Sequence, residues 1–181
     1  MIAKKVKSSG GGSKSGKVSR LVDYITKDEK DKNKIDYYGD RGFLCDDLTS
    51  QKEEMIALAS DAPKCTNPIT HWVMSWHKDE RPTRDQVEEA VDIMLEELDM
   101  TDRQAIYSTH QDTDNYHVHL VINRVHPLTL KAPNNFRDVE LACKAIARIE
   151  HAQGWQREDR GRYQVIDGKT QRVQHPPQLT K

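Results

Sequence analysis

Apolar and polar positions follow two rhythms along this chain of 181 residues. In residues 84–99, Val87, Ala90, Val91, Met94, Leu95 and Leu98 recur every three or four positions, which predicts a helix with one buried stripe. Thr83 and Gln86 stand ahead of it in capping-box spacing. Residues 137–153 repeat the pattern through Val139, Leu141, Ala142, Ala145, Ile146 and Ile149, and Gly154 supplies a stop. A helix is also predicted over 16–27 from Val18, Leu21, Val22 and Ile25, and a shorter one over 51–60. At about 100° per residue those four apolar side chains span one arc, and Tyr24 falls roughly 60° outside it, beside Leu21.

The second rhythm is alternation. In residues 70–76 (THWVMSW), Trp72, Met74 and Trp76 take one face, and His71, Val73 and Ser75 the other. Residues 2–7 form a first strand, and residues 103–110 and 116–123 form two more, joined by the polar QDTDN as an antiparallel hairpin. Residues 8–16 (SSGGGSKSG) are expected to be a flexible loop, without the GKS or GKT that closes a P-loop. The charged stretch 28–40 is expected to be a loop, and the polar, Arg-rich chain beyond Trp155 to hold little packed structure. This order, without internal repeats, predicts an α+β fold: a two-layer or three-layer sandwich with a central antiparallel sheet flanked by helices. Residues 1–155 form the expected domain, and 156–181 a tail or the start of a linker to further domains.

Apolar residues make up 35% of the chain and charged residues 31%, enough for one modest core. No apolar run approaches the roughly 18 residues a membrane span needs, and the Lys-rich N-terminus lacks a signal peptide's apolar stretch. A cytoplasmic protein without membrane insertion is expected. Cys45, Cys65 and Cys143 form no CxxC pair, so neither a disulfide framework nor a zinc ribbon is indicated. The net charge of −1 conceals an uneven distribution: +6 over residues 1–20, −10 over 46–102 and +4 over 103–181. Basic ends of this kind either meet phosphates or keep the chain soluble.

The chemistry concentrates in HQDTDNYHVHLVIN, residues 110–123. Val118, Leu120 and Ile122 share the core face of the strand, whereas His117, His119, Val121 and Asn123 share the other. His110, at the end of the preceding strand, comes alongside them when the hairpin closes. Three imidazoles so placed cap one divalent ion and leave positions open to substrate oxygens, with Asp112 or Asp114 available to the second ring nitrogens. The same alternation also fits a solvated polar face. His71 and His77 are expected to be exposed strand-end histidines. An open divalent site beside basic flanks suits phosphate ester chemistry, with water or a side chain as nucleophile. Tyr24 is a candidate that spacing alone does not separate from Tyr37, Tyr38, Tyr107, Tyr116 or Tyr163.

The run His110, Asp112, Asn115, His117, His119, Asn123 (HxDxxNxHxHxxxN) resembles the metal motif of conjugative plasmid relaxases, the tyrosine HUH-type DNA nicking enzymes. The opening MIAKKV, the helix LVDYIT with Tyr24 and the strand THWVMSW with Ser75 are similar in kind and order to the branch containing the broad-host-range plasmid transfer nickases and the T-DNA border endonuclease. The resemblance implies that Tyr24 is the nucleophile and that His110, His117 and His119 bind a divalent ion (Mg, Mn or Zn). It makes Asp112 the motif acid, orienting a histidine or helping to deprotonate the tyrosine. Ser75 would contact DNA near the scissile bond, and Lys4, Lys5, Lys7 and Asn123 are the further DNA-contact candidates. The implied reaction is site- and strand-specific nicking and religation of single-stranded or locally melted DNA at an origin of transfer, through a 5′-phosphotyrosyl intermediate. A free phenol ionises at about 10, so the nucleophile needs a nearby ion and proton acceptor. Relaxosome accessory proteins and a coupling protein are the implied partners, and a chain of this length is expected to be an N-terminal fragment or a short form. Three other readings stand beside this one: a rolling-circle initiator of the same superfamily, a DNA-binding module with a structural metal, and a hydrolase using metal-activated water.

Overall fold

The longest alternating runs meet at the centre of a five-stranded antiparallel sheet. The computed structural model of the chain describes residues 1–7, 11–26, 35–111, 113–133 and 136–174. In chain order the elements are β1 (Ile2–Val6), α1 (Lys14–Thr26), β2 (Ile35–Arg41), α2 (Leu48–Ser60), β3 (Ile69–Ser75), α3 (Arg84–Glu97), β4 (Ala105–His110), β5 (His117–Asn123), α4 (Asp138–Gln153), β6 (Tyr163–Ile166) and β7 (Lys169–Arg172). The sheet order is β1-β3-β5-β4-β2, and β6 pairs with β7 in a separate hairpin. β5, buried at six of its seven residues, takes the middle.

Each face of the sheet has its own core, so the sandwich has three layers. On one face Trp72, Met74, Tyr107, Val118, Leu120 and Ile122 pack with the stripes of α3 and α4. On the other, Ile69, Ile106 and Val121 pack under Val18, Val22 and Ile25 of α1 and Met55 and Ala59 of α2. The capping box at the start of α3 is complete, Thr83 and Gln86 each accepting from the other's backbone N–H. α4 ends at Gly154, whose φ of 72° is the left-handed conformation a glycine adopts without strain.

Four expectations are corrected. Part of the predicted loop 28–40 is β2: an edge strand is paired along one side only and tolerates charged residues, here Asp36 and Asp40. Arg41 at its end is bridged to Glu88 and Asp92 of α3. α1 begins at Lys14, within the stretch read as flexible, where the Ser13 hydroxyl accepts from the Gly16 N–H. Beyond Trp155 the chain forms the β6–β7 hairpin, and the Tyr163 hydroxyl donates to Glu140 of α4 at 2.7 Å. Val139, assigned to the buried stripe of α4, is 47% exposed in the first turn of that helix, where it lines a cavity with Lys5 and Val6 of β1. Among the described residues no helix is long and apolar enough to cross a membrane.

Gly39 on β2 lies directly opposite Tyr107 on β4. A Cβ there would overlap the Tyr107 ring, whose hydroxyl is held by Glu88 and Arg41. Gly39→Ala is expected to cost about 1–3 kcal/mol of unfolding free energy in urea, from overpacking at a site whose partner cannot swing away.

Candidate active site

Cross-strand pairing sorts the side chains beneath α1 into rows. Ser75, His117 and His110 lie side by side on β3, β5 and β4. The next row is Lys4, Val73, His119, Ser108 and Tyr38, and the next Val6, His71, Val121, Ile106 and Asp40. α1 and α2 close over Ile106, Val121 and Ile69, leaving the histidine end of the face beside the last turn of α1. There Tyr24 is 55% exposed while Val22 and Ile25 are fully buried, as its place off the apolar arc requires.

One ring nitrogen from each of His110, His117 and His119 lies within 4.8 Å of the other two. The remaining nitrogens have polar neighbours. His110 Nε2 is 3.0 Å from the Ile25 carbonyl and 2.9 Å from Ser108 Oγ. His117 Nδ1 is 3.0 Å from the Asn115 carbonyl. His119 Nδ1 is 2.9 Å from His71 Nε2. A carbonyl oxygen only accepts, so the nitrogens facing Ile25 and Asn115 carry the protons, which leaves His110 Nδ1 and His117 Nε2 as the atoms that could face an ion. Three imidazoles fixed in this way suit one divalent ion with positions left for substrate oxygens.

Tyr24 stands edge-on to this cluster, its ring 5.8 Å from that of His119 and 6.3 Å from that of His71. Tyr38 shares the histidine face but lies on the edge strand β2, two strands from His119. Tyr116 donates to Asp36 at 3.0 Å, and burial with that carboxylate pushes its hydroxyl up to about 12. Burial likewise raises Tyr37 and Tyr107, with Glu88 adding to both. Among the described residues, the tyrosine ring contacts with His71 and His119 are those of Tyr24.

His71 corrects the sequence reading. It is 6% exposed, not a solvated strand end, and its ring centroid is 5.1 Å from that of His119. Burial, reinforced by His110, lowers its pKa to about 4 and keeps it neutral. The signal was its place on the same face as Ser75 in THWVMSW, readable only once β3 is known to lie beside β5. His77 is half-buried near Glu158 at 3.8 Å, outside the cluster.

Ser75 is half-buried and directly opposite His117, its hydroxyl donating to the Trp76 carbonyl at 3.4 Å. Lys4 shares the histidine face and is exposed, as is Lys7. Lys5 alternates to the other face, where it pairs with Asp138 and lies 5.7 Å from the Trp72 ring. It thus ties β1 to α4 while also lining a cavity beside Tyr24. Asn123 is also corrected. Fully buried, it donates to the Met55 carbonyl at 3.3 Å and to Gln104 Oε1 at 3.1 Å, and accepts from the Val125 N–H at 3.1 Å, which leaves no surface for DNA. Asp112 lies outside the described residues, and Asp114 is exposed. Two cavities flank the cluster: one of about 890 Å³ lined by Lys7, Lys17, Arg20, Tyr24, His71 and His119, and one of about 350 Å³ lined by Ser75, Thr113, Asn115 and His117. The sequence reading did not single out Lys17 or Arg20, although both lie one helical turn or two ahead of Tyr24.

The family model for the relaxase MobA/VirD2-like nuclease domain matches residues 24–155. The chain belongs to this relaxase family. The match begins at Tyr24 and takes in Ser75, all three clustered histidines and α4. Among curated proteins, the relaxase domain is 58% identical over 115 residues to the protein MobA of Acidithiobacillus ferrooxidans, covering 62% of this chain and 28% of that protein. It is 24% identical over 147 residues to a protein TraI of Escherichia coli, covering 81% of this chain and 20% of the relative. The chain therefore spans less than a third of the length of these relatives. The expected relaxase resemblance and antiparallel α+β sandwich are both borne out.

The burial of Asn123 generates a test. Asn123→Ala should lower the unfolding free energy by about 1–3 kcal/mol, because it strands buried backbone and amide groups. Oligonucleotide affinity of the folded protein should not change. Unaltered urea stability with lost binding would return Asn123 to the DNA surface.

Proposed function

We propose that this relaxase domain nicks one DNA strand by transesterification, with Tyr24 as the nucleophile. The observation that carries the reading is the exposed phenol of Tyr24 set edge-on against His119, beside three histidines able to share an ion. Tyr24 Oη bonds to phosphorus as the bond from phosphorus to the 3′-oxygen breaks, giving a 5′-phosphotyrosyl link and a 3′-hydroxyl. The phenolic proton passes to an acceptor in the site, and the departing 3′-oxygen takes one up. Asp112 is assigned to accepting that proton or orienting a histidine. His110, His117 and His119 would hold Mg²⁺, Mn²⁺ or Zn²⁺, which neutralises charge on the phosphoryl oxygens. Because the tyrosyl ester keeps the bond energy, a 3′-hydroxyl can reverse the step and religate the strand.

The proposed substrate is single-stranded or locally melted DNA at an origin of transfer. The two cavities favour a strand crossing the histidines between Ser75 and the basic pair Lys17 and Arg20. Ser75 would bind near the scissile phosphate, and Lys4 and Lys7 would meet backbone phosphates. Two bases of the C-terminal third are less suited to such contacts, because Arg124 donates to two carbonyls at 2.7 Å and Arg148 is paired with Glu96 and Glu97. The wider proposal is initiation of conjugative transfer in the bacterial cytoplasm, with relaxosome accessory proteins and a coupling protein as partners.

Tyr24→Phe keeps the ring and removes the attacking oxygen. It should retain the fold, ion binding and DNA binding, yet lose nicking by about four orders of magnitude or more, with no covalent adduct. Tyr38→Phe should still form the adduct. Wild-type nicking by Tyr24→Phe, or an adduct peptide mapping to another tyrosine, overturns the assignment.

Salt dependence tests the strand path. Changing Lys7, Lys17 and Arg20 together to Ala should flatten the slope of log affinity against log salt by about 2, since each lost contact with single-stranded DNA removes about 0.7. An unaltered slope would place the strand elsewhere.

A further inference from the structure

The polar partners of the clustered histidines differ in kind. Those of His110 and His117 include main-chain carbonyls, from Ile25 and Asn115, which hold one tautomer whatever side chains surround them. His119 instead meets a side chain, His71, which lies one step diagonally across the β3–β5 pairing and is flanked by Val6 and Val121. Burying an imidazole among apolar neighbours is costly unless its nitrogens are bonded, so a histidine at this position has to be offset by something it does. Its bond to His119 is buried and 2.9 Å long.

We propose that His71 is a positioning residue, which accepts the Nδ1 proton of His119 and thereby turns His119 Nε2 toward the ion. This rests on the reading that His110, His117 and His119 share a divalent ion. An imidazole ligates through a nitrogen that carries no proton, so His119 can serve through Nε2 only if its proton resides on Nδ1. His71 Nε2 stands where that proton needs an acceptor, and to accept it His71 must carry its own proton on Nδ1. The two rings lie 31° from parallel, and Tyr24 meets both at steep angles of 71° and 84°. His71 therefore braces the ligand and the wall on which the nucleophile's ring rests. Outer partners of this kind set the tautomer, orientation and basicity of a ligand, and their loss typically weakens metal binding about 10–100-fold.

The test uses the 181-residue chain and Mn²⁺ alone, with affinity measured by calorimetry in the absence of DNA. His71→Phe keeps a ring but removes both nitrogens, and should bind Mn²⁺ about 10–100-fold more weakly. His71→Gln supplies a carbonyl near the place of Nε2 and should recover most of the loss. Wild-type affinity in His71→Phe, or a Gln variant no better than Phe, overturns the proposal. His119→Ala separates the two readings. If it keeps full Mn²⁺ affinity, the three-histidine site itself fails; if it loses affinity while His71→Phe does not, only the role of His71 fails. Should His71→Phe not fold, ¹⁵N imidazole NMR of the wild-type protein decides: His119 protonated on Nδ1 supports the proposal, and His119 protonated on Nε2 overturns it.

Discussion

The candidate site depends on the pairing register of β3, β5 and β4. Because side chains alternate, a slip of one residue would exchange every occupant of the two faces. His71, His117 and His119 would turn into the α3–α4 core, and Trp72, Leu120 and Val118 would turn out toward α1. What forbids the slip is the core, where Trp72, Met74, Tyr107 and Leu120 are almost completely buried. Truncating one such side chain typically costs about 2–5 kcal/mol, more than a solvent-facing polar pair contributes. The histidines are therefore placed together by hydrophobic packing on the side of the sheet that they do not occupy.

Where a residue's role follows from its own strand or helix, the sequence was sufficient. The parity of VHLVIN set the histidines apart from Val118, Leu120 and Ile122, the apolar arc of α1 left Tyr24 outside, and Thr83 with Gln86 marked the start of α3. Roles that depend on which strands are neighbours were hidden. His71 is an ordinary strand-end histidine until β3 is laid against β5. Asn123 ends a motif run in the sequence but sits beneath α2 in the fold, its amide bonded to the Met55 carbonyl. β2 was missed because edge strands tolerate charge, and its Asp36 and Asp40 read as loop residues. The β6–β7 hairpin was missed for a similar reason: only Tyr163 of its two short strands is buried, so the pattern has little alternation to display.

The basic character beside the site is local to α1, since α2 in the same layer carries Glu53 and Glu54. The acids of α3 face Arg41 and Arg148 on the far side of the sheet from the histidines. The layer carrying Tyr24 instead presents Lys17 and Arg20 toward the larger cavity. A chain of nearly zero net charge thus keeps a cluster of bases at the entrance to its larger cavity.

The carbonyl of Ile25 belongs to the last turn of α1, where helix carbonyls lack intrahelical partners. His110 and Ser108 answer it, so the helix is terminated by the cluster it serves. The anchor is main chain, and substitutions along α1 leave it in place. A change of length does not: one residue inserted between Val18 and Ile25 turns everything before it by about 100° relative to the anchored end, swinging Lys17, Arg20 and the buried valines out of phase. The helix is indexed like a shaft keyed at one end, tolerant of altered teeth and intolerant of an altered count.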